Sequence, residues 1–135
     1  MPTIEFQAIN KTTTDAIPLL NETTSPSATV RYLLREARLT QRELAAMIGA
    51  DARTVRRWAA DDDDFEPQER YARRIDDLRD LVALLVETLP GVQTARWLRA
   101  RNRYLKGERP LEVLAGGRYD EVREAAHAYV DGVTL

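Results

Sequence analysis

Arg96, Arg99, Arg101, Arg103 and Lys106 alternate with Trp97 and Tyr104 in one short stretch. Guanidinium groups beside aromatic rings give wide contact area with directional hydrogen bonds, which suits an interface between molecules. A second cationic group, Arg53, Arg56 and Arg57, surrounds Thr54 at helical spacing, and side chains leaving one helix face in this way can meet phosphates or base edges. Groups able to make or break bonds are scarce. His127 is the sole histidine and has no identifiable nucleophile, whereas acid–base and covalent catalysis need paired groups in a cleft. Gly116-Gly117 reads as the end of a helix, while a phosphate loop would begin one. Asp61 to Asp64 are contiguous carboxylates that repel one another; a cation site wants alternating ligands that converge, so a solvated loop is expected. The chain is therefore expected to be no enzyme and to hold no metal and no cofactor.

The elements that must position these groups follow from periodicity and punctuation. Thr40 with Glu43 makes a capping box for a helix whose Leu44, Ala45 and Ile48 share one face. Gly49 supplies the left-handed stop and Asp51 caps a second helix whose Val55 and Trp58 face inward. The pair reads as a helix-turn-helix. Val30, Leu33, Leu34 and Ala37 precede it at helical spacing, with Ser27 or Thr29 available as the cap. Pro67 opens the longest helix, Gln68 to Leu89, in which Tyr71, Ile75, Leu78, Val82, Leu85 and Leu89 form a continuous apolar seam. Leu81, Leu84 and Val86 widen it, so this half is wrapped by later helices or used against a second copy of the chain. Arg73, Arg74 and Arg79 alternate with Asp76, Asp77 and Asp80 on the expected solvated face. After Pro90-Gly91 come short helices: Val92 to Leu98, one opened by Pro110 and closed by Gly116-Gly117, and a last with Tyr119, Val122, Ala126 and Tyr129 as its stripe.

The predicted fold is all-α: a small N-terminal helix-turn-helix bundle, a long connecting helix and a C-terminal helical domain. Residues 1–28 are expected to be a flexible arm, 29–66 the helix-turn-helix domain and 67–135 a partner-binding and dimerisation domain. Cysteine is absent from the 135 residues, which removes disulfides and thiolate sites. No apolar run approaches a bilayer span and no signal-peptide core is present, so a cytoplasmic protein without membrane contact is expected. The formal net charge is −2, which argues against strong nonspecific nucleic-acid binding. Yet residues 29–60 carry seven arginines against Glu36, Glu43 and Asp51, leaving a local basic face.

Gln41, Leu44, Ala45, Gly49, Thr54, Val55 and Trp58 resemble the helix-turn-helix of Xre-type (lambda-repressor-like) regulators. Operator DNA as a partner would place Gln41 at a phosphate and Ala52, Arg53, Thr54 and Arg57 at base edges in the major groove. The Asp61 to Asp64 run beside them would oppose that by Coulomb repulsion. Trp97-Leu98, Asn102-Arg103-Tyr104-Leu105, Gly107, Pro110, Leu111, Leu114, Gly117 and Tyr119-Asp120-Glu121-Val122 resemble the C-terminal domain of the Xre/MbcA/ParS antitoxins. The likeness spans about residues 30–135. It implies a type II antitoxin whose partner is a RES-domain, NAD-degrading toxin, neutralised by covering its active-site cleft, with repression of the antitoxin's own operon as a further role. The expected toxin-binding residues are Arg99, Arg101, Asn102, Arg103, Tyr104, Tyr129, Asp131 and Leu135, with Glu124, Asp131 and the terminal carboxylate as an acidic plug. A stand-alone Xre-type transcriptional regulator is the alternative, and a homodimer is expected through the long seam or through the final helices.

Overall fold

The computed structural model describes residues 25–60 and 66–134. The arm before Ser25, the Asp61 to Asp64 run and Leu135 lie outside the described residues. Helix α1 (Pro26–Glu36) starts earlier than Ser27 or Thr29 would allow: Ser25 is the cap, accepting the Ala28 N–H at 3.1 Å, with Pro26 in the first turn. Proline fits there because its ring fixes a helical φ and its missing N–H is one no helix bond would use. This start turns Ser27 inward, where its hydroxyl donates to the Trp58 carbonyl at 2.7 Å. Thr29 is also buried and donates back to the Ser25 carbonyl at 3.2 Å.

Helix α2 (Gln41–Ile48) carries both halves of the capping box: Glu43 N–H donates to Thr40 Oγ1 at 3.0 Å and Thr40 N–H to Glu43 Oε1 at 2.9 Å. It stops at Gly49, whose φ of +90° is a backbone that side chains with a Cβ rarely enter. Asp51 Oδ1 accepts the Thr54 N–H at 2.8 Å and so begins α3 (Ala52–Ala60).

Helix α4 (Glu69–Thr88) is the spine. α1 lies along it on one side and α7 (Tyr119–Thr134) on another. α3 packs across α1 and α2. Between α4 and α7 the chain forms α5 (Val92–Arg99), a 3-10 turn over Arg103–Leu105 and α6 (Pro110–Ala115), which lies against α2 and α7. The described residues contain α-helices and this one 3-10 turn, and no strand. The fold is all-α, as the periodicity predicts.

A single apolar core runs through both halves, from Leu33, Leu44 and Val55 to Leu85, Leu98, Val113 and Val122. The α4 seam is filled within one chain: Leu81 and Val82 are buried, and Leu84 and Val86 are half-buried against the same core. Of the two alternatives for the seam, α4 is thus wrapped by the chain's own helices. None of the described helices is long and apolar enough to cross a membrane.

Arg74 departs from the solvated face expected of it. It is half-buried, reaches the Met47 carbonyl at 3.4 Å, and lies across Gly49 and Gly117. A Cβ at Gly49 would meet its Nη1 at 3.0 Å and one at Gly117 its Nη2 at 2.9 Å. Its charge lies between the carboxyl-terminal ends of α2 and α6, where the helix dipoles leave partial negative charge. Arg79 also turns inward. Its side chain is 20% exposed and is held by Asp76 and Asp80 at 3.5 Å each.

Candidate interaction surfaces

Two faces gather the residues that the sequence singles out. On the first, Val55 and Trp58 anchor α3 in the core, with the Trp58 ring 5.5 Å from that of Tyr71 on α4. A helix held by these two positions turns its other side out. Arg53, Arg56 and Arg57 are exposed, and Ala52 and Thr54 half-exposed. Gln41 is half-exposed at the first position of α2. The expected DNA-facing set therefore belongs to α2 and α3, with its arginines in solvent.

The second face is built by α5, the loop after it, and α7. Asn102 organises the loop: its Oδ1 accepts the Tyr104 N–H at 2.9 Å, its N–H donates to the Glu108 carbonyl at 3.0 Å, and its own carbonyl accepts the Gly107 N–H at 2.8 Å. Arg101 adds a bond to the Gly107 carbonyl at 3.1 Å. The left-handed turn through Lys106 (φ +58°) and Gly107 (φ +87°) closes the loop, and Leu105 plugs it into the core. Held by its backbone in this way, the loop presents Tyr104 at 57% exposure, with Arg103 exposed beside it. The turn packs against α7. There Tyr129 is 39% exposed, and its ring meets half-buried Trp97 edge-on at 6.4 Å. Asp131 is exposed on the same helix.

Arg99, expected as a toxin-facing cation, is also engaged within the chain. Its Nε donates to Glu43 Oε2 and its Nη2 to Glu43 Oε1, both at 2.8 Å, and Nη2 also bonds the Arg38 carbonyl at 2.8 Å. Two residues emerge that the sequence reading used only locally or not at all. Glu43 serves both the cap of α2 and this bridge to α5. Arg118 takes Glu108 at 2.9 Å and Glu121 at 2.8 Å, tying the loop to the start of α7. Glu108–Arg118 and Arg118–Glu121 are close in sequence and of opposite charge, a signal that could have been read; Glu43–Arg99 is not.

The Arg99 guanidinium pulls the Glu43 carboxyl down to about 2, with burial opposing and the Thr40 N–H assisting. A folded value below the ordinary 4.5 stabilises the fold fully above about pH 4.5, and that contribution is lost as pH falls toward about 2. Thermal melts of Glu43→Gln are expected to show a flatter acid limb in that window than melts of the unaltered chain; parallel limbs would refute the assignment. Asp77 has the opposite sign. Burial first, then Asp80, Asp76 and Asp120, push its carboxyl up, so it favours folding at low pH and cannot be the source of acid loss. Burial and the neighbouring Asp77 and Asp80 likewise push the Tyr119 phenol up to about 12. His127 lies exposed in a shallow groove with Asp80, Asp120 and Arg123, and no group of metal-ligating side chains occurs among the described residues.

The architecture and its solved neighbour define an all-α antitoxin fold. The chain is similar to a chain in the crystal structure of the Mycobacterium tuberculosis MbcT–MbcA toxin–antitoxin complex, with a TM-score of 0.66 and 28% identity over 81% of this chain and 96% of that one. It is 45% identical over 94 residues to the probable mycobacterial cidal antitoxin Rv3188 of M. tuberculosis, covering 70% of this chain and 78% of the relative. It is 29% identical over 107 residues to the mycobacterial cidal antitoxin MbcA of Mycobacterium bovis, covering 79% and 93%. No family model matches the chain. The chain belongs to the mycobacterial cidal antitoxin family.

Proposed function

We propose that this chain is the antitoxin of a type II toxin–antitoxin pair, acting by direct binding rather than by catalysis, and that its partner is a RES-domain toxin that degrades NAD. The observation that carries the reading is the exposed aromatic face: Tyr104 on a backbone-locked loop and Tyr129 on α7, with Trp97 beneath the latter. Aromatic side chains supply large contact area for little loss of rotamer freedom on binding, which is why such residues are enriched among the residues that dominate interface energetics. Arg101, Arg103 and Asn102 border Tyr104 and complete the toxin-facing set with Asp131. The segment of residues 129–135 is the one that enters the toxin's cleft. Because that cleft accepts an anionic dinucleotide, its own groups are basic, and the acidic end of the antitoxin is opposite to them in charge. Co-expression with the neighbouring open reading frame, co-purification and an NAD-consumption assay test this. Association with loss of NAD consumption is the expected result, and a neighbour that is harmless and never associates would overturn it.

A second role rests on the α2–α3 face. Exposed Arg53, Arg56 and Arg57 beside Thr54 favour repression of the antitoxin's own operon from a cytoplasmic homodimer, each copy reading one half-site. Packing of the α4 seam within one chain favours the final helices, of the two expected surfaces, for that dimer. Arg53→Ala is expected to relax sequence discrimination by about 1–3 kcal/mol at one base pair in a binding titration across operator variants. Unchanged discrimination would remove Arg53 from the base-reading set.

A further inference from the structure

Among the described residues, the half-buried Arg74 guanidinium has no carboxylate partner; its one hydrogen bond there is the 3.4 Å contact with the Met47 carbonyl. A guanidinium carries five N–H donors and a full charge, and the nearby helix ends supply only part of a unit charge. Withdrawn from water, such a group wants an anion. Arg70 lies one turn earlier on the same face of α4. It too lacks a carboxylate partner among the described residues: it stacks on the Tyr71 ring at 4.6 Å from the centroid and donates to the Tyr71 hydroxyl at 2.9 Å. Arg73 differs, being taken by Glu69 at 3.3 Å.

Both Arg70 and Arg74 border a cavity of about 500 Å³. Buried Met47, Leu78 and Leu114 give it an apolar floor drawn from α2, α4 and α6. Tyr119 adds a hydroxyl that burial and the neighbouring Asp77 and Asp80 keep protonated at neutral pH, and so able to donate. An apolar cavity with a few polar groups placed to orient a ligand is the usual form of a small-molecule site. Asp77 also lines it, three residues beyond Arg74. Its carboxylate repels anions, which puts the charged end of a ligand toward Arg70 and disfavours more than one negative charge.

We infer that this cavity binds a small monoanion with an apolar body, a carboxylate on an aryl or short alkyl group, held by Arg70 and Arg74 with its body on Met47, Leu78 and Leu114. The planar fork of a guanidinium matches a carboxylate in two parallel hydrogen bonds. None of these residues belongs to either proposed interaction face, so the site stands independently of the toxin and operator readings. A ligand touching α2, α4 and α6 at once binds only the folded chain and stabilises it by mass action.

The test titrates phenylpropionate into the full chain and follows methyl and amide NMR signals, with phenylpropanol and acetate as probes that each lack one half of the ligand. Saturable shifts are expected at the Met47, Leu78 and Leu114 methyl groups. Phenylpropionate is expected to bind about tenfold or more tighter than phenylpropanol, the ratio that one charge-assisted hydrogen bond supplies, and tighter than acetate. The thermal midpoint should rise with its concentration. Arg74→Gln and Arg70→Gln are each expected to lower phenylpropionate affinity by about fivefold or more and to leave phenylpropanol affinity unchanged. Arg70 is exposed, so its substitution keeps the test decisive if Arg74→Gln fails to fold. Equal affinity for acid and alcohol, acetate binding as tightly as phenylpropionate, or an acid preference that survives both substitutions would overturn the site. So would shifts confined to other parts of the chain, or no saturable shift at all.

Discussion

Removing residues 129–135 is expected to abolish toxin neutralisation and leave a folded protein. The deletion takes away Tyr129, exposed except where its ring edges Trp97, and the acidic end of α7. It spares Val122, Ala125 and Ala126, which are buried in the core. Stability therefore changes little, whereas an interface that loses its central aromatic anchor commonly weakens by 2–4 kcal/mol, roughly 30- to 1,000-fold. The measurements are a thermal melt, a toxin-binding titration and recovery of growth on toxin expression. Tyr129→Ala, which keeps the length of α7, separates the ring from the tail: a loss of about 30-fold or more assigns the effect to the ring. A truncated chain that melts near the full-length temperature and still neutralises would overturn the occlusion mechanism while leaving family membership untouched.

Leu33→Ala is expected to produce the largest stability loss of any single side-chain truncation proposed here. Leu33 is fully buried where α1 lies along α4, and the α1–α4 contact joins the segment before Pro67 to the one after it. Truncating a buried leucine removes its transfer free energy and leaves a cavity that packed neighbours only partly close, a cost of ~2–5 kcal/mol. Domains of this size are stable by ~5–15 kcal/mol in total. Chemical denaturation should show the midpoint falling with little change in slope, and both proposed faces should weaken together because one core supports them. Loss of DNA binding with full toxin binding would mean that the halves fold separately.

How far the sequence could be read depended on whether the deciding partner was local. Thr40 with Glu43, Gly49, Asp51 with Thr54, and Pro110 act within one helical turn, and each appears in the structure where its chemistry predicts. Ser25 is the cap in place of Ser27 or Thr29: Pro26 beside it is a local signal that the sequence carries, and the distant Trp58 carbonyl that claims Ser27 is one it does not. Arg74 and Arg79 look like members of a solvated alternating-charge face until other helices close over them. At the candidate toxin face, the aromatic and arginine residues could be picked out by type, but which of them are available could not. Arg99 is engaged by Glu43 from a remote helix, and Tyr104 is displayed only because Asn102 folds the loop around itself. Charge and residue type are visible along a chain; commitment of a charge to another element is a property of packing.

Because a Cβ at Gly49 would meet one terminal nitrogen of the Arg74 guanidinium and a Cβ at Gly117 the other, their mutational histories are tied together. A first enlargement at either glycine expels the guanidinium and bears the cost of doing so. A second then meets a space already vacated, so the two penalties fall short of their sum. Substitution of Arg74 itself would lift the steric restriction on both glycines at once, leaving only the backbone demand of their positive φ. In a lineage, drift at that arginine is the step that would open both turns to change.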